Sequence, residues 1–377
     1  MSFVPTMTAP PANNLKATSS SSSGLFVSRR HQKLLALLMT ISLSISLSFF
    51  STHDHHGDAD LLSLTPQEQT LLQSNESRLL SSTASSSSLS FANDVIVTIS
   101  IGSNAARSPM VERCHRSVRH PGNFDGYFAV LTDAPSERYA DLAEKDGKFI
   151  VLKIKEEDKR RDIDPLLAMK LFKTMIPRYV YSHPKISEAD IITYLDFDII
   201  VADDIKKTYE LLAARKRLDA ERLARHYPKE DPETVSSIYF FSELVGRSLQ
   251  PFHGGVFFLD RNSQRCLDLW GEEIVNNDST RDQIALSHLN TKILKRQLSG
   301  CKLWALPRAY NLRYPTEKLM KEGRKATFIH ITNTFRAEMI PRDVQEEYIA
   351  EILGLTEEER NVQNHLTMSS GKISFNW

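Results

Sequence analysis

This chain of 377 residues is poor in cysteine, with three in all, at Cys114, Cys266 and Cys301. No CxxC pair is among them. That excludes a disulfide-stapled scaffold and a cysteine-based zinc module. Cys266 and Cys301 are free to pair in an oxidising lumen, but spacing alone does not decide it, and three buried thiols is the plainer reading. Net charge is also missing: 47 Lys and Arg balance 47 Asp and Glu. No global field then favours nucleic acid, and none is expected as a partner. No internal repeat is visible. No glycine-rich, lysine-containing phosphate loop follows the first strand-like run, which argues against a nucleotidyltransferase.

Acidic residues are absent before Asp54. Residues 1–33 are rich in Ser, Pro, Ala and Asn, a composition that predicts a disordered tail. Arg29, Arg30 and Lys33 then precede LLALLMTISLSISLSFF (34–50), 17 residues without a charge. As a helix this run is about 26 Å long, at ~1.5 Å per residue, which suits a thin bilayer. Asp54, Asp58 and Asp60 follow it. The asymmetry predicts a signal anchor with the N-terminus cytosolic and the rest lumenal, in the endoplasmic reticulum or Golgi membrane. A cleaved signal peptide and an organelle transit peptide are the alternatives. Residues 51–92, with HDHHGD and a serine run, read as a polar stem. Asn75-Glu-Ser77 and Asn277-Asp-Ser279 are glycosylation sequons.

The globular part is expected over 93–355, with 356–377 as a tail. DVIVTISIG (94–102), GYFAVLTD (126–133), KFIVLKI (148–154), ADIITYLDFDIIV (189–201), HGGVFFLDR (253–261), KLWALP (302–307) and ATFIHIT (326–332) read as strands. Between them SPMVERCHRSVRH reads as a helix with Ser108 as N-cap and Pro109 at N1. DPLLAMKLFKTMI (164–176), the highly charged IKKTYELLAARKRLDAERLARHYPKEDPE, CLDLWGEEIV and RDQIALSHLNTKIL read as further helical stretches. Strands alternating with helices predict an α/β fold with a mostly parallel sheet. Such sheets bind ligands at the carboxyl ends of their strands.

Two acids, Asp196 and Asp198, sit near the end of one such apolar run. Read as one strand, positions two apart share a face. Two like charges together are stable if a divalent cation neutralises them, and a hard cation on two carboxylates can hold a diphosphate. His330, at the end of a late strand, is a candidate third ligand. His253-Gly254-Gly255 opens a strand where glycine lets a ligand approach the backbone. Asp282 and Gln283 begin a helix. Arg336 follows His330 and suits a phosphate.

In order and context these motifs resemble glycosyltransferase family 8 of the GT-A fold. YLDFDIIV resembles its Tyr-Leu-Asp-x-Asp run, HGGVFFLD its Asn-[Ser/Ala]-Gly-Val segment, and DQIALSHL its Asp-Gln segment. ALPRAYNLRY and HITNTFR resemble its two late motifs. The resemblance spans about residues 93–340. It implies a GT-A, Rossmann-like, mostly parallel sheet flanked by helices, and a metal-dependent transferase. The donor would be a UDP-sugar, and the acceptor a hydroxyl on a glycan, glycoprotein or glycolipid. It implies Mn²⁺ or Mg²⁺ on Asp196, Asp198 and His330. It implies donor contacts from Lys170, Asp196, Asp198, His253, Gly254, Gly255 and Arg336, catalytic roles for Asp282 and Gln283, and retention of anomeric configuration. TISIGSNAA would lie under the uracil and ribose. His253 stands where the family has Asn, Ile284 where it has an acid or amide, and Asn333 where it has Gly. The alternatives are an inverting GT-A transferase of another family and a GT-A-like domain that binds glycans without transfer.

Overall fold

The computed structural model describes residues 90–360, apart from 103–108, 161–164, 227–234, 246–247, 251, 278–281, 307–310, 314–326 and 331–341. The chain divides into two units, Met1–Gln67 and Glu68–Trp377, and the described residues all belong to the second. The anchor over 34–50, the sequon at Asn75 and the phosphate candidate Arg336 lie outside the described residues. Among the described residues no helix is long and apolar enough to cross a membrane.

In chain order the elements are β1 (Val95–Ser100), α1 (Met110–Arg119), β2 (Tyr127–Thr132), α2 (Ala140–Lys145), β3 (Phe149–Lys153), α3 (Pro165–Thr174), α4 (Ile176–Ser182), β4 (Ile192–Leu195), β5 (Ile199–Val201) and α5 (Lys206–His226). They continue with β6 (Ser236–Phe241), β7 (Glu243–Val245), β8 (Ser248–Gln250), β9 (Val256–Leu259), α6 (Gln264–Asn276), α7 (Asp282–Leu294), β10 (Cys301–Leu306), β11 (Asn311–Arg313), β12 (Phe328–His330) and α8 (Arg342–Leu353).

The main sheet has seven strands in the order β10-β6-β9-β4-β1-β2-β3. β1 pairs in parallel with β2 and β4, β2 with β3, and β10 with β6. Only β9 runs against its neighbours, β4 and β6. The expected mostly parallel α/β sheet is therefore present. Its strands are continuous apolar runs because helices cover both faces. All six residues of β1 are buried. On one face Leu167 and Phe172 of α3, Trp270 of α6 and Leu286 of α7 pack with Val97, Ile192 and Phe257 in one core. Thr193 alternates to the other face, where its hydroxyl meets Tyr209 of α5 at 2.6 Å.

Four local expectations change. First, the run 189–201 is two strands in two sheets. β4 ends at Leu195, Asp196-Phe197-Asp198 turn, and β5 joins a small sheet ordered β11-β12-β5. The turn is closed by the Ile199 N–H, which donates to the Asp196 carbonyl at 3.0 Å. Second, the helix expected over 164–176 stops at Thr174 and restarts as α4, with Pro177 in its first turn. A proline there lacks the N–H that a continued helix needs. Third, Pro109 precedes α1 at the N-cap position instead of standing at N1; Ser108 is outside the described residues. Fourth, Cys266 and Cys301 form a disulfide with Cα atoms 5.1 Å apart, and only Cys114 is a buried free thiol. The bond ties the first turn of α6 to the first residue of β10.

Just after α8, Leu355 is buried and Glu359 pairs with Arg116 of α1 at 2.9 Å.

Candidate active site

Three segments meet at the carboxyl end of β4. The first is the turn after β4. The Asp196 N–H donates to the Gly255 carbonyl at 2.8 Å, extending the β4–β9 ladder by one step past Leu195↔Val256. The second is the small sheet, in which His330 of β12 is paired in register with Ile199 of β5. That register sets His330 beside Asp198, and its Nε2 lies 3.0 Å from Asp198 Oδ1. The third is α3, whose Lys170 and Lys173 share one helical face, being three residues apart.

Ligand atoms of Asp196, Asp198 and His330 all lie within 4.8 Å of one another. His330 is buried, while the two aspartates keep about a quarter of their side chains exposed, 23% and 26%. Two carboxylates and one imidazole around a partly open point fit a divalent cation. Oxygen donors suit Mg²⁺ and Mn²⁺, and the imidazole nitrogen favours the transition ion. The shared side of the two acids comes from the turn, not from strand alternation.

Behind the triad lies a second cluster. Lys173 Nζ, on a side chain 2% exposed, stands 2.9 Å from Asp196 Oδ1 and 2.6 Å from Asp282 Oδ2. It also donates to the Gly254 carbonyl at 2.7 Å. Lys170 Nζ meets the other Asp282 oxygen at 2.8 Å. The Tyr194 hydroxyl donates to Asp196 Oδ1 at 2.5 Å, and Lys173 Nζ lies 4.9 Å from the centre of the Tyr194 ring. Burial alone would neutralise Asp196, Asp282 and Lys173; the opposite charges beside each keep it ionised instead. Burial raises the Asp196 carboxyl, but Lys173 and Lys170 outweigh it and hold it well below the usual carboxylate range. Asp282 is likewise pulled down against burial, to about 2, by Lys170 and Lys173. Burial works against the Lys173 ammonium, yet Asp196 and Asp282 raise it above its ordinary value.

The two glycines are required by close approach. A Cβ on Gly254 would stand 2.8 Å from Asp282 Oδ2, and one on Gly255 would stand 2.8 Å from Asp196 Oδ2 and 2.6 Å from His253 Cε1. His253 itself is 1% exposed, and its Nε2 lies 3.2 Å from His330 Nδ1.

Asp196, Asp198 and His330 thus come together, and Lys170, Asp282, Gly254 and Gly255 line the same place. Gln283 is half-buried at the second position of α7. The TISIG segment ends with the Gly102 N–H donating to both oxygens of Asp133, at 3.0 and 3.2 Å, where β1 and β2 end. Lys173 and Tyr194 escaped the sequence reading. Lys173 had a signal, its three-residue spacing from Lys170; Tyr194, inside an apolar strand, had none.

No protein-family model matches the chain, and no curated protein sequence matches it. The chain is similar to solved glycosyltransferase structures. One is the galactosyltransferase LgtC in complex with donor and acceptor sugar analogs, at 16% identity and a TM-score of 0.42, covering 71% of this chain and 99% of that one. Another is the glycosyltransferase GlyE of Streptococcus pneumoniae TIGR4, at 16% identity and a TM-score of 0.42, covering 74% of this chain and 66% of that one. At these values the likeness decides nothing about chemistry, which has to come from the chain's own residues.

Proposed function

We propose that this chain is a metal-dependent glycosyltransferase that moves a sugar from a UDP-sugar to a hydroxyl of a glycan, glycoprotein or glycolipid. What carries this reading is the meeting of Asp196, Asp198 and His330 within 4.8 Å at a strand end. When bound there, Mn²⁺ or Mg²⁺ supplies positive charge opposite the departing diphosphate. The chain's own residues do the rest. Asp196 is locked in direction by Tyr194 and Lys173, so its second oxygen is aimed without reorganisation. Lys170, 18% exposed and anchored on Asp282, is the more open of the two lysines. Both Asp282 oxygens are held by ammonium groups. With its low proton affinity, Asp282 is a poor nucleophile and a poor base, and it acts by positioning the lysines. The motif resemblance implies a retaining, front-face displacement, in which the acceptor hydroxyl attacks on the side the diphosphate leaves and gives its proton to the departing diphosphate oxygen. Arg336 is proposed as a further diphosphate contact on the resemblance alone.

The test is a panel of UDP- and GDP-sugars presented to the full chain with Mn²⁺ and with a chelator. Cleavage of one UDP-sugar in the presence of metal only is expected. No cleavage of any donor, together with retained glycan binding, would leave the non-catalytic domain as the better reading.

The placement proposed is a single-pass anchor at 34–50 with the domain in the lumen of the Golgi or endoplasmic reticulum. The basic residues before the apolar run and the acids after it support this orientation. The Cys266–Cys301 bond suits an oxidising compartment. Protease added to intact microsomes should spare the domain; its digestion there would reverse the orientation.

A further inference from the structure

We propose that His253 is a positioning residue that fixes which nitrogen of His330 faces the cation. This rests on the metal site proposed above, and it goes beyond that reading by giving His253 a role other than touching the donor.

The geometry is a buried chain of two imidazoles. His330 Nε2 points to Asp198, 3.0 Å from Oδ1, so it is the nitrogen on the metal side. His330 Nδ1 points the other way, to His253 Nε2 at 3.2 Å. The two rings stand at 64° with centres 5.1 Å apart. A neutral imidazole carries its proton on one nitrogen only. If Nε2 is to give its lone pair to a cation, the proton has to sit on Nδ1, and Nδ1–H then needs an acceptor. His253 Nε2 is placed to be that acceptor. Orientation of a ligating imidazole through its second nitrogen is a common way for a protein to tune a metal site.

His253 is itself held firmly. Its backbone N–H donates to the Phe241 carbonyl at 2.9 Å, tying it to the end of β6. It is 1% exposed, and no Cβ would fit on the neighbouring Gly255 beside its Cε1. A side chain packed this tightly, with a ring nitrogen aimed at a ligating histidine, is poorly placed to reach a substrate in the open part of the site. An asparagine carbonyl can also accept from Nδ1–H, whereas an apolar side chain cannot.

The experiment titrates Mn²⁺ alone into the purified full chain. It reads affinity from free-Mn²⁺ electron paramagnetic resonance, and nitrogen ligation from the ¹⁴N modulation of bound Mn²⁺. Wild type should show imidazole nitrogen coupling. His253→Leu should lose that coupling and bind Mn²⁺ ~10–100-fold more weakly, the range for loss of an outer-shell partner. His253→Asn should restore the coupling and most of the affinity. In a His330→Ala background, His253→Leu should change affinity no further. If His253→Leu does not fold, His253→Phe carries the same expectation. Unchanged coupling and affinity in His253→Leu, or an equal loss with and without His330, would overturn the positioning role while leaving the metal site standing. If wild type takes up no Mn²⁺, the metal reading itself fails, and this inference goes with it.

Discussion

Two charged clusters share Asp196, and they are built on opposite plans. The inner one sets two carboxylates, Asp196 and Asp282, against two ammonium groups, Lys170 and Lys173, and is neutral within itself. The outer one adds Asp198 and the imidazole of His330. There Asp198 meets an imidazole, where each inner carboxylate meets an ammonium group. The inner cluster is closed by burial and acts as a frame. The outer cluster is partly open and suits a cation from solution. Two like charges on one strand-end turn are tolerated because one of them is already compensated from behind.

Removing the frame should have the largest effect. Lys173→Met strips the buried Asp282 and the partly exposed Asp196 of a shared cation, and loss of one partner of a buried ion pair costs roughly 3–5 kcal/mol. Urea unfolding should show that loss with or without Mn²⁺. A loss below about 1 kcal/mol would mean that the cluster relaxes into water. Asp198→Asn should act on the other side of the comparison. Transfer should fall at least ~100-fold, in line with removing one preorganised electrostatic group, while stability without metal stays unchanged or rises as like-charge repulsion is relieved. Undiminished turnover with unaltered Mn²⁺ dependence would dissolve the distinction between the two clusters. Metal addition sharpens it further. Mn²⁺ at ~100 times its Kd should stabilise wild type by about 2.7 kcal/mol, and an Asp198→Asn chain much less at the same concentration, as read by thermal unfolding.

Acid should separate charges the fold wants from one it does not. Asp282, held down at about 2, contributes stability that is present above its ordinary value of 3.8 and is lost as the pH falls through about 2. Asp94 has the opposite sign. Burial, only partly offset by the Ile191 N–H that it accepts, raises it to about 6. Its ionisation in the fold is unfavourable, so it subtracts stability as the pH climbs from about 4 to about 6. Asp94→Asn, which keeps an acceptor oxygen, should therefore stabilise by about 3 kcal/mol at pH 7 and by nearly nothing at pH 3.5. Stability curves of the two proteins that run parallel over this range would contradict the buried, raised carboxyl.

Much of the candidate site was legible. Asp196 and Asp198 stood out because charges inside an apolar run need compensation. Gly254 and Gly255 stood out because paired glycines before a strand mark close approach, although what approaches proved to be Asp282 and Asp196. Lys173 was passed over because a lysine on an amphipathic helix is ordinarily solvated, and its spacing from Lys170 marks a shared face but not a side chain 2% exposed. β6 escaped because the charged helical reading was carried through YPKEDPE up to its edge, although Pro228 and Asp231-Pro232 mark a break before SSIYFF. The break after Leu195 was hidden by hydrophobicity on both sides, since a run that is apolar throughout looks the same whether it stays in one sheet or passes to a second.

By itself the sequence determined the α/β alternation and the mostly parallel sheet. Both are written in local periodicity and in the apolar character of each strand, and such short-range properties survive in any context. It also determined which residue types were available for chemistry. Tertiary structure alone decided their partners. His330 reaches Asp198 through the register of a three-stranded sheet, Lys173 reaches Asp196 and Asp282 because α3 packs behind β4, and Cys266 reaches Cys301 because β10 lies in register beside β6. Each of these contacts joins residues 23 to 132 positions apart, by subtraction of their numbers. Proximity at that range depends on how whole elements bury their apolar faces together, which no local pattern encodes.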